Sequence, residues 1–564
     1  MSLPATTVFE VRPGAGSATN GGGFVPGSSG TDWSQQNSPQ YSVTDGVLIG
    51  TTTVTSASAN FGTDVVGNVA YIAGSWYQIV SRTSATAIVV DRATGTASGQ
   101  TIKIGGALDL CATAEPLLTA GMTLWIKATG TQTLTSSLAT VNSGDVTSGP
   151  ITWQGYHTTR GDHDGTRPLI ATSTNNLKMI VDSASTTTRF RVFDNLELSS
   201  TAGTPGYAFV PAFNQSTSDW VISNCKISGC KAGILGDNSI AFACAHISLL
   251  NLEITGCVDA IVSANATRID GCYFHGNTGY GLKITSNAGG IGGTSYRVSN
   301  SVFYSNLGGI SVLSGAAATG TAGPILDISA CAFVSHTNDG IANAVTNGDF
   351  SMLSLSNSIF YGNSGYGVNI TNAAAMIVLN RNNAYGSNAS GARNNLVAGS
   401  GDVTLSVDPF TARTTNDFTL NTTAGGGAAC RAAGFPGSIS GLVTAGSSDI
   451  GALQHGDPAA SGVVLSSPRR ICAVQTGRPQ RRSVIVISAP GTPILMPSRR
   501  RDHPVYVPIR RSAPSMALFA HPVVLRSPIR TLARLHAIRR NAGQALFSQT
   551  ANQTVLITSP RVVR

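Results

Sequence analysis

The stretch LSNSIFYGNSGYGV at 355–368 decides the fold, because the chain says it again and again. An apolar residue (Leu355) is followed five places later by another (Phe360). Seven or eight places beyond that stands an aliphatic residue preceded by a small one (Gly367-Val368). The same pattern appears as VSNSVFYSNLGGI at 298–310 and as IDGCYFHGNTGYGL at 269–282. Working outward, the apolar pairs are Phe193/Leu198, Ile222/Ile227, Leu249/Ile254, Ile269/Phe274, Val298/Phe303, Ile328/Phe333 and Leu355/Phe360. From Ile227 on, the second members lie 27, 20, 29, 30 and 27 residues apart. Constant spacing inside a unit and variable spacing between units predict short strands joined by loops of changing length. That is the signature of a solenoid.

Two polar columns say which solenoid. Three places before the second apolar residue stand Asn195, Asn224, Asn251, Asn300 and Asn357, and three places after it Cys230, Cys257, Asn277, Asn306, His336 and Asn363. Asn at the same turn of successive coils can hydrogen-bond the coils above and below, and it tolerates the left-handed backbone of a sharp corner. The strands are rich in Ile, Val and Phe, and the turns in Gly, Asn and Ser. A helical repeat would carry far more than the four Glu of this chain (Glu10, Glu115, Glu197, Glu253). The prediction is an all-β, parallel β-helix body with coils about 4.8 Å apart.

Over residues 106–455 this pattern resembles the right-handed β-helix of the pectate-lyase and tailspike kind. The opening, with Val11-Arg12, Thr19–Phe24 and Tyr41–Gly46, resembles the start of many phage-encoded and environmental bacterial β-helix proteins. ITWQGY…TRGD…RP at 151–168 is similar to their irregular early coils. Asp408-Pro409-Phe410, Asp417-Phe418-Thr419-Leu420 and Ile450-Gly451-Ala452-Leu453 resemble their closing coils, with Gln454-His455-Gly456 where an acidic dipeptide usually follows. Three regions result. Residues 1–105 form an N-terminal β cap with an antiparallel unit. Residues 106–456 form the β-helix body. Residues 457–564 form a basic C-terminal assembly arm that resembles no known family.

Charge separates the last region from the rest. From Ser461 on there are 17 Arg, no Lys and one acid, Asp502, while the remainder holds 19 basic and 26 acidic residues. The arginines include Arg469, Arg470, Arg481, Arg482, Arg499, Arg500, Arg501, Arg510, Arg511, Arg539 and Arg540. They punctuate β-branched runs that each meet a proline, such as VIVISAPG, PVYVPIRR and TVLITSPRVVR. Proline forbids a ladder bond, so such runs suit edge strands. An extended arm that adds strands to partner subunits and a compact Arg-rich β cap are both open readings. The segment TLARLHAIRRNAGQALF fits a basic amphipathic helix. Few aromatics and no recognised motif argue against nucleic acid as the partner. Other copies of the chain, or acidic proteins of a larger assembly, fit better.

No charged n-region precedes an apolar run at the N-terminus and no stretch of about 18 apolar residues occurs, so neither export nor a membrane span is expected. The cysteines do not form a disulfide framework. Cys225, Cys272 and Cys331 share an inward column and read as small hydrophobes, and Cys230 and Cys257 share a corner on adjacent coils.

Chemistry has one candidate place. The column one position before the second apolar residue reads Glu197, Lys226, Glu253, Tyr273 on successive coils. Carboxylates two coils apart stand about 9–10 Å from each other, at the upper edge of the span inverting glycoside hydrolysis uses. Tyr273 beside them suits a sugar ring. The competing reading is a charge ladder, in which Lys226 holds both carboxylates ionised and denies either the raised pKa of a general acid. Asp162-His163-Asp164 reads as a turn and not as a metal site, no Cys/His set has zinc spacing, and no cofactor is expected. The chain is therefore expected to be a non-catalytic structural protein of a larger assembly, with a phage virion spike, fibre or capsid-decorating subunit as the kind implied. It would be made in the host cytoplasm, anchored through the arm, and able to bind glycans or a host surface. The alternatives are a tailspike-like polysaccharide hydrolase or lyase, and a bacterial surface adhesin or filament.

Overall fold

The computed structural model describes residues 3–182, 189–211, 219–236, 246–263, 267–284, 295–312, 324–343, 351–371, 376–435 and 448–454, and five short backbone strands between 486 and 557. The chain forms two compact units, residues 1–437 with 445–476, and residues 438–444 with 477–564. The first unit is a parallel β-helix built on sheets of 12, 11 and 10 strands. Each coil gives one strand to each sheet, as in Ser295–Ser299, Val302–Tyr304 and Gly308–Val312. Successive coils pair in parallel, Val298 on Ile328 and Phe303 on Phe333.

The five-residue spacing has a backbone cause. Along one strand, residues five apart point to opposite faces. A single left-handed residue between the first and second strands resets the phase, so both apolar residues point inward. Asn195, Asn224, Asn251, Asn300 and Asn357 hold that corner with φ of 50–55°. Two coils depart from Asn there: Gly271 (φ 67°) and Ala330 (φ 50°). At the next corner the left-handed residue is Gly256, Gly276, Ser305, Ser335 or Gly362, and the residue after it is the second polar column, turned inward.

That second column is a hydrogen-bonded ladder. The Asn277 N–H donates to Asn306 Oδ1 (3.0 Å), Asn306 N–H to His336 Nδ1 (3.2 Å) and His336 N–H to Asn363 Oδ1 (3.0 Å). The asparagine amides turn back to strand carbonyls, Asn306 Nδ2 to Phe274 O (2.9 Å) and Asn363 Nδ2 to Phe333 O (3.2 Å). Cys230 N–H donates to Cys257 Sγ (3.4 Å), so the two cysteines are early rungs, both free thiols. Cys225, Cys272 and Cys331 lie buried in the core, and burial pushes each thiol up to about 12.

Inside, Phe303, Phe333, Phe360 and Tyr385 stack at 4.8–5.1 Å, one ring per coil. This stack explains the small-residue column. A Cβ on Gly309 would come 2.5 Å from Phe333 Cδ1, and one on Gly340 2.8 Å from Phe360 Cδ1. The variable part of the repeat is the return from the third sheet to the first, which takes residues 264–266 in one coil and 285–294 in the next.

At the N-terminal end, residues 41–104 form a closed six-stranded antiparallel barrel, the antiparallel unit the sequence implies. Val8–Val11 do something else: they pair in parallel with Thr123–Lys127 and extend the first sheet. Buried Glu10 ties this strand to the coils, accepting from Arg160 Nε (2.9 Å), Arg12 Nε (3.0 Å) and the Tyr156 hydroxyl. At the other end, Met376–Arg381, Ala384–Gly386 and Gly391–Asn394 complete a further regular coil, so the solenoid does not stop at the Leu355/Phe360 repeat. Nor do the DPF, DFTL and IGAL segments close it. Phe410–Ala412 and Asp417–Leu420 make an antiparallel hairpin, and residues 405–435 and 448–454 lie on the outer face of the second sheet. The reason is apolar: from Val302 on, that face carries Val302, Ala332, Val334, Ile359 and Ala384, which need a cover.

In the second unit, Val486–Ala489 pairs antiparallel with Thr492–Leu495, and Val555–Ile557 pairs antiparallel with both Val505–Val507 and Phe547–Gln549. The tail arginines and the expected amphipathic helix lie outside the described residues.

Two stability predictions follow from the corners. Ala330 pays the left-handed penalty that Asn avoids, so Ala330→Asn stabilises the chain by about 1 kcal/mol in thermal unfolding. His336 is buried, and among the described residues its Nε2 has no hydrogen-bond partner. Burial pushes its pKa from 6.5 down to about 3. Its stabilising neutral form is therefore fully present above pH 6.5, and stability falls as pH drops from 6.5 toward 3, by up to ~4 kcal/mol. His336→Asn completes the ladder and flattens that part of the pH profile, which melting curves between pH 7 and 4 will read.

Candidate functional site

The predicted column exists as a run of in-register neighbours on the second sheet: Glu197 on Lys226, Lys226 on Glu253, and Glu253 on Tyr273. In each strand the middle residue (Leu198, Ile227, Ile254, Phe274) is buried, so period two turns the column outward. The same column continues as Val302, Ala332, Ile359 and Ala384 under the cover made by residues 405–435 and 448–454. One sheet face thus has two halves. Its early coils present charge and hydroxyls to solvent, and its late coils are sealed.

Tyr273 stands on the border. Its hydroxyl donates to Asn416 Oδ1 of the cover (2.8 Å), its ring stacks on His275 (4.1 Å, 16°), and Phe418 meets its edge (5.8 Å). Burial pushes the phenol pKa up, with Tyr304 and Glu253 adding to it. One face of the ring and the hydroxyl are therefore engaged, and the expected sugar-stacking part is reduced to the remaining face. Phe418 also packs on Tyr304 (5.1 Å) and Phe410 (5.4 Å). Arg413 completes the border, pairing with Asp408 (2.5 Å), bonding Ser335 Oγ, and lying over Tyr361 (5.3 Å).

Glu253 is the electrostatic centre of the open half. His275 Nε2 lies 3.4 Å and Lys226 Nζ 3.9 Å from Glu253 Oε1. The His275 hydrogen bond first, then the Lys226 charge, hold its carboxyl below the usual range. Lys226 leans to Glu253 alone, and among the described residues the Glu197 side chain makes no ion pair. The alternating Glu–Lys–Glu ladder is in fact a Lys226–Glu253–His275 cluster with Glu197 standing off. Arg167, whose Nε donates to the Asn224 carbonyl (2.7 Å), adds positive charge from a preceding loop. A carboxylate so held is a strong acceptor, suited to hydroxyl groups or to a general-base role. It is unsuited to donating a proton.

Three members of this site escaped sequence reading. His275 was legible, two places after Tyr273 and hence on the same face. Arg167 comes from an irregular coil and Asn416 from 143 residues away, and neither leaves a local signal. Asp162-His163-Asp164 is a turn: Asp162 accepts from the backbone N–H groups of His157, Thr158 and Thr159 at 2.7–2.8 Å. Among the described residues no set of three or more His, Cys, Asp or Glu is placed to hold a metal. The corner asparagines also serve the cover: Asn357 Nδ2 donates to Phe435 O (3.0 Å) and Asn357 Oδ1 accepts from Phe435 N–H (2.7 Å).

No family model matches the chain, and no curated protein matches it. Among solved structures, the chain is similar to a GH136 lacto-N-biosidase from Eubacterium ramulus, at 12% identity and a TM-score of 0.30, over 53% of this chain and 64% of that one. It thus spans just under two thirds of that relative's length. A GH87 α-1,3-glucanase catalytic domain in complex with nigerose matches at 9% identity and a TM-score of 0.27, over 72% of this chain and 96% of that one. The Agl-KA catalytic domain matches at 15% identity and a TM-score of 0.26, over 67% and 69%. The first two are glycoside hydrolases, and the similarity extends to the β-solenoid fold and no further.

The cover depends on Phe418, which three aromatic rings surround. Phe418→Ala is expected to cost about 3–4 kcal/mol locally and to raise amide hydrogen exchange across 405–435, leaving the coils before Glu253 protected.

Proposed function

We propose that this chain is a polysaccharide-binding β-helix that serves a larger assembly, with the open half of the second sheet as a binding face. The observation that supports this most is the division of that face. The cover makes a wall, and against it stand Glu253, His275 and Lys226, with Arg167 and Glu197 nearby. These groups are balanced in charge and partly exposed, and all but Arg167 are fixed on strands, which suits hydrogen bonding to a hydroxyl-rich polymer. The basic tail supports attachment to protein partners, and the assembly expected from the sequence is a virion.

A second reading has its own support. Glu197 and Glu253 stand two coils apart, about 9–10 Å, and Glu253 is held ionised as a general base must be. Glu197 would then be the acid of an inverting hydrolase. Lys226 beside it works against that role, which is why binding is the first reading.

The test uses the full chain against dextran, laminarin, galactomannan and polygalacturonate. Binding to at least one is expected, weakened about tenfold by Glu253→Gln combined with His275→Ala, with no new reducing ends. Reducing ends that disappear in Glu197→Gln would instead establish the hydrolase, and no binding to any polymer would remove both readings. For the tail, the full chain is expected to give defined oligomers by sedimentation, and a chain stopped at Pro458 a monomer. Equal masses would remove the assembly role.

A further inference from the structure

The outer face of the third sheet carries a pattern that the second-sheet site does not use. Along one column, in register from coil to coil, stand Lys178, Tyr207, Ala232, Asp259, Tyr280, Gly308, Asp339, Tyr366 and Gly391. A tyrosine recurs at every third coil, at 207, 280 and 366. All three rings are partly exposed. Each is followed in the column by a small residue, and each is preceded by a charged one.

The small residues let the rings lie along the solenoid axis. A Cβ on Gly308 would come 2.9 Å from Cδ1 and Cε1 of Tyr280, so that ring rests over the next coil. Gly391 stands in the same relation to Tyr366, with its Cβ position 3.6 Å from Cε1. Lys231 Nζ stands 5.6 Å from the centre of the Tyr207 ring. The aspartates fix the backbone under the rings: Asp259 accepts from Tyr280 N–H (2.8 Å) and Asp339 from Tyr366 N–H (2.6 Å). Their second oxygens take Lys283 Nζ (3.3 Å) and Asn369 Nδ2 (2.9 Å), and Asn394 Nδ2 donates on to Asn369 Oδ1 (3.0 Å). The charged groups beside Tyr280 are thus an ion pair, and beside Tyr366 stand the Asp339 carboxylate, held by hydrogen bonds, and the amides of Asn369 and Asn394.

We infer that this column is a binding track for an extended neutral polysaccharide running parallel to the solenoid axis. Three rings in one line, about 14 Å apart, match a ligand that is itself linear and periodic. Each ring offers an apolar face to the C–H side of a sugar, while Asn369, Asn394 and Lys283 offer hydrogen bonds at the ring edge. Beside Tyr280 and Tyr366 the charges are the Asp259–Lys283 pair and the hydrogen-bonded Asp339 carboxylate, which disfavours a polyanion there. The inference shares the ligand class of the proposed function but rests on a different sheet and different residues.

Affinity electrophoresis of the full chain through gels holding dextran, laminarin, galactomannan or polygalacturonate tests it. At least one neutral polymer should retard the chain. Single Tyr→Ser variants at 207, 280 and 366 should each weaken retardation about 3- to 10-fold, the triple variant should weaken it more than any single one, and Tyr280→Phe should retain it. Unchanged melting of the triple variant guards against misfolding. Retardation that survives undiminished in the triple variant, but not in Glu253→Gln/His275→Ala, would overturn the track and leave the second-sheet site standing. Loss in the triple variant with no effect of Glu253→Gln/His275→Ala would do the reverse. Retardation by polygalacturonate alone, by none of the polymers, or a fall in sedimentation mass as the only effect of the triple variant, would also overturn the track.

Discussion

Everything in this molecule depends on the vertical register of one coil on the next. Parallel strands have no hairpin to set their alignment, and a slip of one residue would turn each apolar side chain to the solvent. Two devices prevent it. A left-handed residue at the first corner resets the strand phase. A buried ladder at the second corner joins the coils from Cys230 to Asn363 through a backbone N–H and a side-chain acceptor, asparagine Oδ1 on most rungs, Cys257 Sγ and His336 Nδ1 on the others. Leaving such a group unpaired in the core would cost about 1–3 kcal/mol, so the ladder strongly favours one register. The stacked rings and the glycines beside them then fit only that alignment.

A register held from inside leaves the outer faces free to differ, and they do. The second sheet changes character at Tyr273, from Glu, Lys and Ser to Val, Ala and Ile. The chain answers by folding residues 405–435 and 448–454 over the apolar half. This cover creates the functional geometry: without Asn416 and Phe418 the charged half would be an open strand surface, and with them it ends against a wall.

The electrostatics of the open half weigh more toward holding than toward cutting. General-acid chemistry needs a carboxyl kept protonated by burial or by a like charge. Glu253 has the opposite surroundings, a histidine donor and a lysine, in a half-exposed position. The polar pairs on the third sheet are likewise satisfied within the protein.

Reading the residues in order was enough to determine the solenoid, its corners and its inward columns, because these come from local spacing repeated many times. Asn300 at a left-handed corner, Phe303 in the core and Glu253 on the outer face are all consequences of short-range geometry, and the repetition averages out exceptions such as Ala330. The sequence also placed Glu197, Lys226, Glu253 and Tyr273 in one line. Only the tertiary structure decided what that line does. Asn416 and Phe418 reach Tyr273 from more than 140 residues away, Val8–Val11 joins the first sheet across the whole barrel insertion, and tyrosines at 207, 280 and 366 align only once loops of unequal length have been absorbed between coils. Contacts between distant segments carry no period, so no spacing rule could announce them.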